Sequence, residues 1–371
     1  MPHLFHGLPT HEARHSSRLA SRWPRSCACR DVRTKQLLLQ TCASIAFLAF
    51  AAPADAGATA RKAAQSRTPA FSAAHANDAA ATPRLGAGSA AGSSVLRLQV
   101  LLDRAHFSPG EIDGYYGGNT RRAVAAFNRA RGLKGGERVD AKTWAALNRD
   151  AAPVVGPYVL TAGDVAGPFE KLPVETPDRA KRSALGFESP VEALGERFHA
   201  SPSLLRALNP GAAFDVAGVG LQVPNVERSP LGKVDGMSVT VSESDGSVVA
   251  VGSDGTVIAR YPATTGSEHD PLPLGEWKVN GVARNPTFAY NPDLFWDSEA
   301  GDEKAKLPPG PNNPVGVAWI DLSKPHYGIH GTPEPSAIGK TSSHGCIRLT
   351  NWDAFELGHL VSPGTPAVLV K

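Results

Sequence analysis

Apolar residues recur at helical spacing in three short stretches between residues 94 and 149. In "SVLRLQVLLDRAHF" the spacing sets Val95, Leu98, Leu101 and Leu102 on one helical face. A turn-rich "SPGEIDGYYGGNT" follows, with Asn119 or Thr120 placed to cap a second helix that buries Ala123, Val124 and Phe127. Asp140 is an N-cap signal for a third helix in "AKTWAALN". These pieces predict a small three-helix bundle. Residues 150–235 mix periods: "YVLTAGDV" reads as a strand, and 189–226 reads as helix, turn, helix, turn, strand, with an insertion between the two. That is an α+β middle segment.

From Met237 the period becomes two. "SVTVSES", "SVVAVGS" and "TVIARYPATTG" alternate apolar and polar residues, separated by Asp245-Gly246 and Asp254-Gly255, which are hairpin signals. "GEWKVNGV", "VGVAWIDL", "HYGIHG" and "TPAVLVK" add strands, and residues 352–361 form an amphipathic helix through Trp352, Phe355, Leu357 and Leu360. Residues 237–371 therefore read as a mostly antiparallel β domain, interrupted by a Pro-, Asn- and Gly-rich excursion over 284–314. Loops of that length inside a compact domain are usually functional or disordered.

Composition extends this multidomain picture toward the N-terminus. Residues 57–93 are mostly Ala, Ser, Gly and Pro, too poor in large apolar side chains to fold, so a disordered linker is expected. Residues 30–58 run from basic to apolar (Leu37 to about Pro53) to small, the pattern of a signal peptide over 1–56 with cleavage near Ala56. The apolar run is shorter than the ~20 residues a membrane span needs. An exported protein of the periplasm or cell envelope, without a membrane anchor after cleavage, is expected. A formal charge of +3 on 371 residues is too small to suggest nucleic-acid binding, though it permits attraction to an anionic polymer.

Export changes the meaning of the cysteines. Cys27, Cys29 and Cys42 fall within the expected signal peptide and Cys346 outside it, so the mature chain would carry a lone thiol and no internal disulfide. Cys346 sits in "SHGCIRL", and a nucleophilic cysteine needs an imidazole to lower its pKa and take its proton. His330, after the strand "YGI", is the better-placed base. His344 is two residues from the cysteine, and Gly345 argues against a regular strand that would align them. Gly345 also permits close backbone approach, so nearby amides could face an oxyanion. Arg348 is suited to a substrate carboxylate, and Ser343 is a second candidate for substrate contact. Zinc ligation by two histidines and the cysteine is the next alternative, although the spacing matches no common zinc motif. A buried core thiol is the third.

The segment Asp113, Gly114, Gly117, Thr120, Ala123, Val124, Phe127 resembles the peptidoglycan-binding domain type 1 family, with Asn128 where glutamine is usual. The stretch "ALGERFHASPSLLRALNP" resembles the later part of a LysM module. The run His330-Gly331-Thr332, Ser336-x-Ile338-Gly339-Lys340, then Ser343-His344-Gly345-Cys346-Ile347-Arg348-Leu349 resembles the YkuD-type L,D-transpeptidase catalytic domain. One departure is "DPLPLGEW", read as a structural strand entry.

The last resemblance implies a cysteine acyltransferase without metal or cofactor. Cys346 would attack the third residue of a peptidoglycan tetrapeptide stem, release D-alanine, and pass the acyl group to the side-chain amine of an acceptor stem as a 3→3 crosslink. It implies that His330 is the acid/base, that the Gly331 carbonyl orients its imidazole, and that His344 shapes the oxyanion region. An L,D-carboxypeptidase-type hydrolase and a non-catalytic wall-binding scaffold remain open at this stage.

Overall fold

The computed structural model describes residues 71–83, 91–296, 298 and 301–371. The expected signal peptide, with its three cysteines, lies outside the described residues. So does most of the expected linker. Residues 71–83 of that linker are not disordered: Ser72 caps helix α1 (Ala73–Asn77), and Ala76 is fully buried. The reason is a set of specific contacts that composition hides. Asn77 Oδ1 accepts from the Val154 and Val155 amides at 2.8 and 3.0 Å, and Trp144 Nε1 donates to the Ala79 carbonyl at 2.8 Å.

The bundle comprises α2 (Ser93–Arg104), α3 (Gly118–Ala130) and α4 (Ala141–Leu147). Asp140 caps α4 by accepting from the Thr143 amide at 2.8 Å. The cap expected at Asn119 or Thr120 is absent. Gly117 occupies the N-cap of α3, and Asn119 Nδ2 instead donates to the Ile338 carbonyl of the catalytic region at 2.8 Å.

The middle segment runs β1 (Val155–Val159), α5 (Ala162–Val165), α6 (Thr176–Ala180), α7 (Pro190–Arg197), α8 (Pro202–Leu208) and β2 (Gly220–Pro224). Strands β1 and β2 pair antiparallel across the helices. This segment has no core of its own. Val154, Leu160, Val191, Leu194, Leu205 and Leu221 join Leu98, Leu102, Phe127 and Trp144 in one apolar cluster, so bundle and middle segment fold together.

The catalytic region contains β3 (Ser238–Ser242), β4 (Ser247–Val251), β5 (Val257–Pro262), β6 (Gly275–Arg284), β7 (Phe288–Tyr290), β8 (Ala305–Leu307), β9 (Ala318–Leu322), β10 (Gly328–His330), β11 (Ile347–Arg348), helix α9 (Asn351–Leu360) and β12 (Pro366–Val370). Eight strands order as β11-β10-β9-β6-β12-β3-β4-β5. Pairing is antiparallel except for β10–β11 and β12–β3. The sheet rolls far enough for its edges to meet, since Thr264, just past β5, exchanges backbone hydrogen bonds of 3.0 and 2.9 Å with Arg348 of β11. Trp352, Ala354, Leu357 and Leu360 of α9 are buried, whereas Phe355, expected on the same face, is exposed.

The long excursion is not structureless. Strands β7 and β8 pair as a hairpin arm. Leu307 and Phe288 of the arm pack on Leu172, Leu185 and Ala180, so the insertion in the middle segment buttresses it.

A buried polar cluster joins the bundle to the catalytic region. Asp103 at the end of α2 pairs with Arg228 and His199, and Arg228 also pairs with Glu356 of α9 at 2.9 Å. Beside them Asp353 accepts from Ser108 Oγ at 2.8 Å while its Oδ1 is left without a partner. Burial, then the charge of Asp103, pushes the Asp353 carboxyl up to about 8.

A raised folded-state pKa means that the folded form holds a proton the unfolded chain has lost. Stability is then lost as pH rises from about 4 to about 8. Asp353→Asn, which never ionises, should therefore match the parent near pH 4 and melt at increasingly higher temperature than the parent toward pH 8. A thermal melt series across that range checks it, and a pH-independent difference would contradict the assignment.

Candidate active site

The two-residue strand β11 pairs parallel with β10, setting Ile329 opposite Ile347 and His330 opposite Arg348. Ile329 and Ile347 are fully buried and fix this register. Side chains alternate along a strand, so His330 and Arg348 share the opposite face, and Cys346 lies in the bend directly before β11. Strand spacing and rise place the Cα atoms of Cys346 and His330 about 8 Å apart, within reach of two side chains leaning together.

His330 is buried, stacked on Trp319 with centroids 5.4 Å apart. Its Nδ1 lies 2.7 Å from the Gly331 carbonyl oxygen. A carbonyl can only accept, so Nδ1 carries the hydrogen and Nε2 keeps its lone pair. Burial pushes the imidazole down to about 4, with the Arg348 cation adding to the effect and the Gly331 contact opposing it. The histidine is therefore neutral near pH 7.

Cys346 is partly buried, and its thiol donates to the His326 carbonyl at 3.6 Å. Burial pushes the thiol up; the Gly328 amide and the Arg348 cation pull it back, and Asp270 adds to the rise. This corrects the expectation that a neighbouring imidazole lowers the thiol's pKa. Desolvation is the largest influence on each group and outweighs the nearby charges. The resting pair is thiol and neutral imidazole, not an ion pair.

The surrounding turn is shaped by steric need. Gly345 has φ +94°, and a Cβ there would lie 2.9 Å from the Tyr327 ring. The backbone conformation and the close ring both demand glycine. Ser343, expected to touch substrate, is buried and donates to the Cys346 carbonyl at 2.6 Å, so its hydroxyl is used in holding the turn. His344 points its Nδ1 toward Arg348 Nη2 at 3.5 Å and meets Phe295 edge-on at 5.1 Å. The arm thus reaches over the site, and Trp296 stacks on His269 at 4.3 Å beside it.

Sequence reasoning missed four contributors. Trp319 and Tyr327 were read only as strand residues. Asp270, in the stretch read as a strand entry, is close enough to act on the thiol, and its Oδ2 is buried without a partner. Asn351 is wedged against the catalytic loop: Cβ atoms at Gly331 and Gly316 would meet its Oδ1 at 2.1 and 1.9 Å. Its Oδ1 accepts from the Val317 amide and its Nδ2 donates to the Pro311 carbonyl.

The family of the L,D-transpeptidase catalytic domain matches residues 237–369, and that of the peptidoglycan binding domain matches residues 91–147. A Bacillus licheniformis protein named L,D-transpeptidase YkuD is 30% identical over 178 residues, which span 47% of this chain and 90% of the relative. Its namesake in Bacillus subtilis is 36% identical over 109 residues, spanning 29% of this chain and only 51% of that relative. Among solved structures, L,D-transpeptidase 3 of Mycobacterium tuberculosis with a faropenem-derived adduct gives a TM-score of 0.31 at 18% identity, over 42% of this chain and 75% of that one. An L,D-transpeptidase of Mycobacterium smegmatis gives 0.30 at 20% identity, over 41% and 73%.

A neutral, desolvated thiol has a distinct alkylation profile. The iodoacetamide rate should climb with pH above the ordinary thiol range of about 8.5, with no inflection near 6.5. Asp270→Asn removes a charge that opposes ionisation and should speed alkylation at pH 8 a few-fold, whereas Arg348→Ala should slow it. A rate plateau already reached at pH 7 would show a resting thiolate and contradict the electrostatics.

Proposed function

The chain belongs to the L,D-transpeptidase family, and we propose that it forms 3→3 peptidoglycan crosslinks through an acyl-thioenzyme on Cys346. The observation that supports this reading is the parallel β10–β11 pairing, which brings the bend carrying Cys346 beside the strand ending in His330, with the histidine's Nδ1–H held by the Gly331 carbonyl.

In this reading His330 Nε2 accepts the thiol proton as sulfur attacks the carbonyl of the third stem residue. The carbonyl becomes an oxyanion beside the turn at Gly345 and Cys346. Its collapse breaks the bond to D-alanine, whose nitrogen takes the proton back from the imidazolium. The acceptor's side-chain amine then attacks the thioester, gives its proton to His330, and the thiol leaves with that proton. No net proton is consumed. The negative charge that develops during attack favours the imidazolium, so an imidazole neutral at rest becomes a better base as the bond forms. In this reading Arg348, opposite His330, would take the stem's carboxylate, and its contact with His344 would hold the arm near the substrate.

The peptidoglycan-binding bundle supports the same substrate, because tethering a catalytic domain to an insoluble polymer raises its local concentration there. With an N-terminal signal peptide the protein would work in the periplasm, on stems that serve as both donor and acceptor.

Incubation with disaccharide-tetrapeptide, read by mass spectrometry, tests the reaction. A crosslinked dimer with loss of D-alanine is expected; free tripeptide as sole product would replace transfer with hydrolysis. Cys346→Ala should abolish both the dimer and the adduct with a carbapenem. His330→Ala should lower the rate by about 10²–10⁴-fold or more, and His344→Ala should cost less. If His344→Ala proves the more damaging of the two, the roles are reversed.

A further inference from the structure

Five residues after Cys346 the chain begins α9, and the first residue of that helix, Asn351, is buried. Its carboxamide is fully matched. Oδ1 accepts from the Val317 amide at 3.1 Å, while Nδ2 donates to the Pro311 carbonyl at 3.2 Å and to the Glu196 carboxyl of α7. One side chain thus ties the return of the long excursion and the middle segment to the start of α9. A buried polar group with every partner supplied is held in one orientation.

Two glycines make room for it. A Cβ on Gly316 would meet Asn351 Oδ1 at 1.9 Å, and a Cβ on Gly331 would meet it at 2.1 Å. Gly316 has φ +60°, so its backbone asks for glycine independently. Gly331 is not among the positive-φ glycines. The three atoms nearest to its missing Cβ all belong to Asn351: Oδ1, then Cγ at 3.2 Å and Cα at 3.3 Å. Asn351 is therefore the reason that position 331 carries no side chain.

Gly331 matters through its carbonyl, which accepts the Nδ1–H of His330 at 2.7 Å. A glycine has the freest backbone of any residue, so its carbonyl needs outside support to keep one direction. The Gly331 amide is held by the Ala318 carbonyl at 3.2 Å, and its Cα is backed by the Asn351 carboxamide. If the carbonyl turned away, the neutral imidazole would be free to carry its hydrogen on Nε2, which would then have no lone pair for a thiol proton.

We propose, on the reading of His330 as the base given above, that Asn351 is a positioning residue for that base. It presses on Gly331 and holds the carbonyl that keeps the imidazole hydrogen on Nδ1 and the lone pair on Nε2. The middle segment shares in this, since Glu196 of α7 holds the same carboxamide.

Isotopic labelling of the histidine ring nitrogens in the full chain, read by proton–nitrogen NMR at pH 7, tests the positioning. The parent should show an Nδ1–H signal that His330→Ala removes. Asn351→Ala should lose that signal or replace it with an Nε2–H signal. Acylation of Cys346 by a carbapenem should slow about 10–100-fold in the same variant. Iodoacetamide alkylation at pH 9, where solvent base takes the thiol proton, should stay within about twofold of the parent. Gly331→Ala should be as harmful as Asn351→Ala, because its Cβ evicts the carboxamide, and the double variant should be no worse than either single one. If Asn351→Ala does not fold, Asn351→Ser, whose hydroxyl is one bond shorter than the carboxamide, is read by the same signal. An unchanged Nδ1–H signal, alkylation that falls together with acylation, or single effects that multiply in the double variant would each overturn the assignment. Acylation unchanged in Asn351→Ala but slowed in His330→Ala sinks the positioning and leaves the base in place. Acylation unchanged in His330→Ala sinks the base instead, and the Nδ1–H signal alone then decides what Asn351 holds.

Discussion

The arrangement depends on one short register, the parallel pairing of β10 with β11. Two residues a side is little backbone to set Arg348 and the bend of Cys346 against His330, and a slip of one residue would turn Arg348 or His330 to the other face. The register is secured from three directions. Ile329 and Ile347 are fully buried beneath it, and the Leu349 amide donates to the His330 carbonyl at 2.8 Å. On the free side of β11, Thr264 supplies the missing ladder and closes the sheet upon itself. Closure removes the edge beside which Cys346 would otherwise sit, and with it the freedom to shear.

A second constraint explains why three sequence regions behave as one body. Asp103, fully buried, and Arg228, nearly so, satisfy each other only when α2, the segment after β2, and α9 are all in place. Removing one partner of such a cluster leaves an uncompensated charge in low dielectric, so the cluster rewards the complete assembly and penalises partial ones. The same assembly places the insertion of the middle segment under the β7–β8 arm, and the arm over His344. Contact between the segments is thus transmitted to the rim of the site through packed side chains, with no moving part needed.

What could be read from the chain divides along physical lines. Period-two alternation and Asp-Gly turns made the β region legible, and helical spacing made α2 to α4 legible, because both are local signals. The motif around Cys346 was visible for the same reason. Asn119 shows the limit: its type and position suit a helix cap, yet a partner more than two hundred residues away takes its side chain. α1 was hidden because one buried alanine and one asparagine order it, and composition averages such residues away. Asp270 and Asn351 act on the site through proximity created by the closed sheet, which no local pattern encodes. Ser343 was legible as part of the motif, while its hydroxyl's partner, the Cys346 carbonyl, was not.

The electrostatics of the resting pair also bear on why the fold buries its thiol. A thiolate is the species that attacks a carbonyl, and it is equally the species that oxidants attack. Stabilising the ion pair in the empty site would speed both. Burial keeps the proton on sulfur and the lone pair on His330, so neither group is charged until an electrophile accepts the developing negative charge. In the proposed reaction the cost would fall on the barrier to proton transfer, and it would be offset where charge develops, at the turn around Gly345 and beside Arg348. Arg348 serves both states: its cation lowers the thiol's pKa and the imidazole's together, which favours the thiolate while keeping the base free of a premature proton. A lysine could supply the same charge but not the planar fork that spans His344 and a carboxylate at once. Arginine two residues after Cys346 thus suits the neutral resting pair through its charge, and the proposed carboxylate contact through its fork.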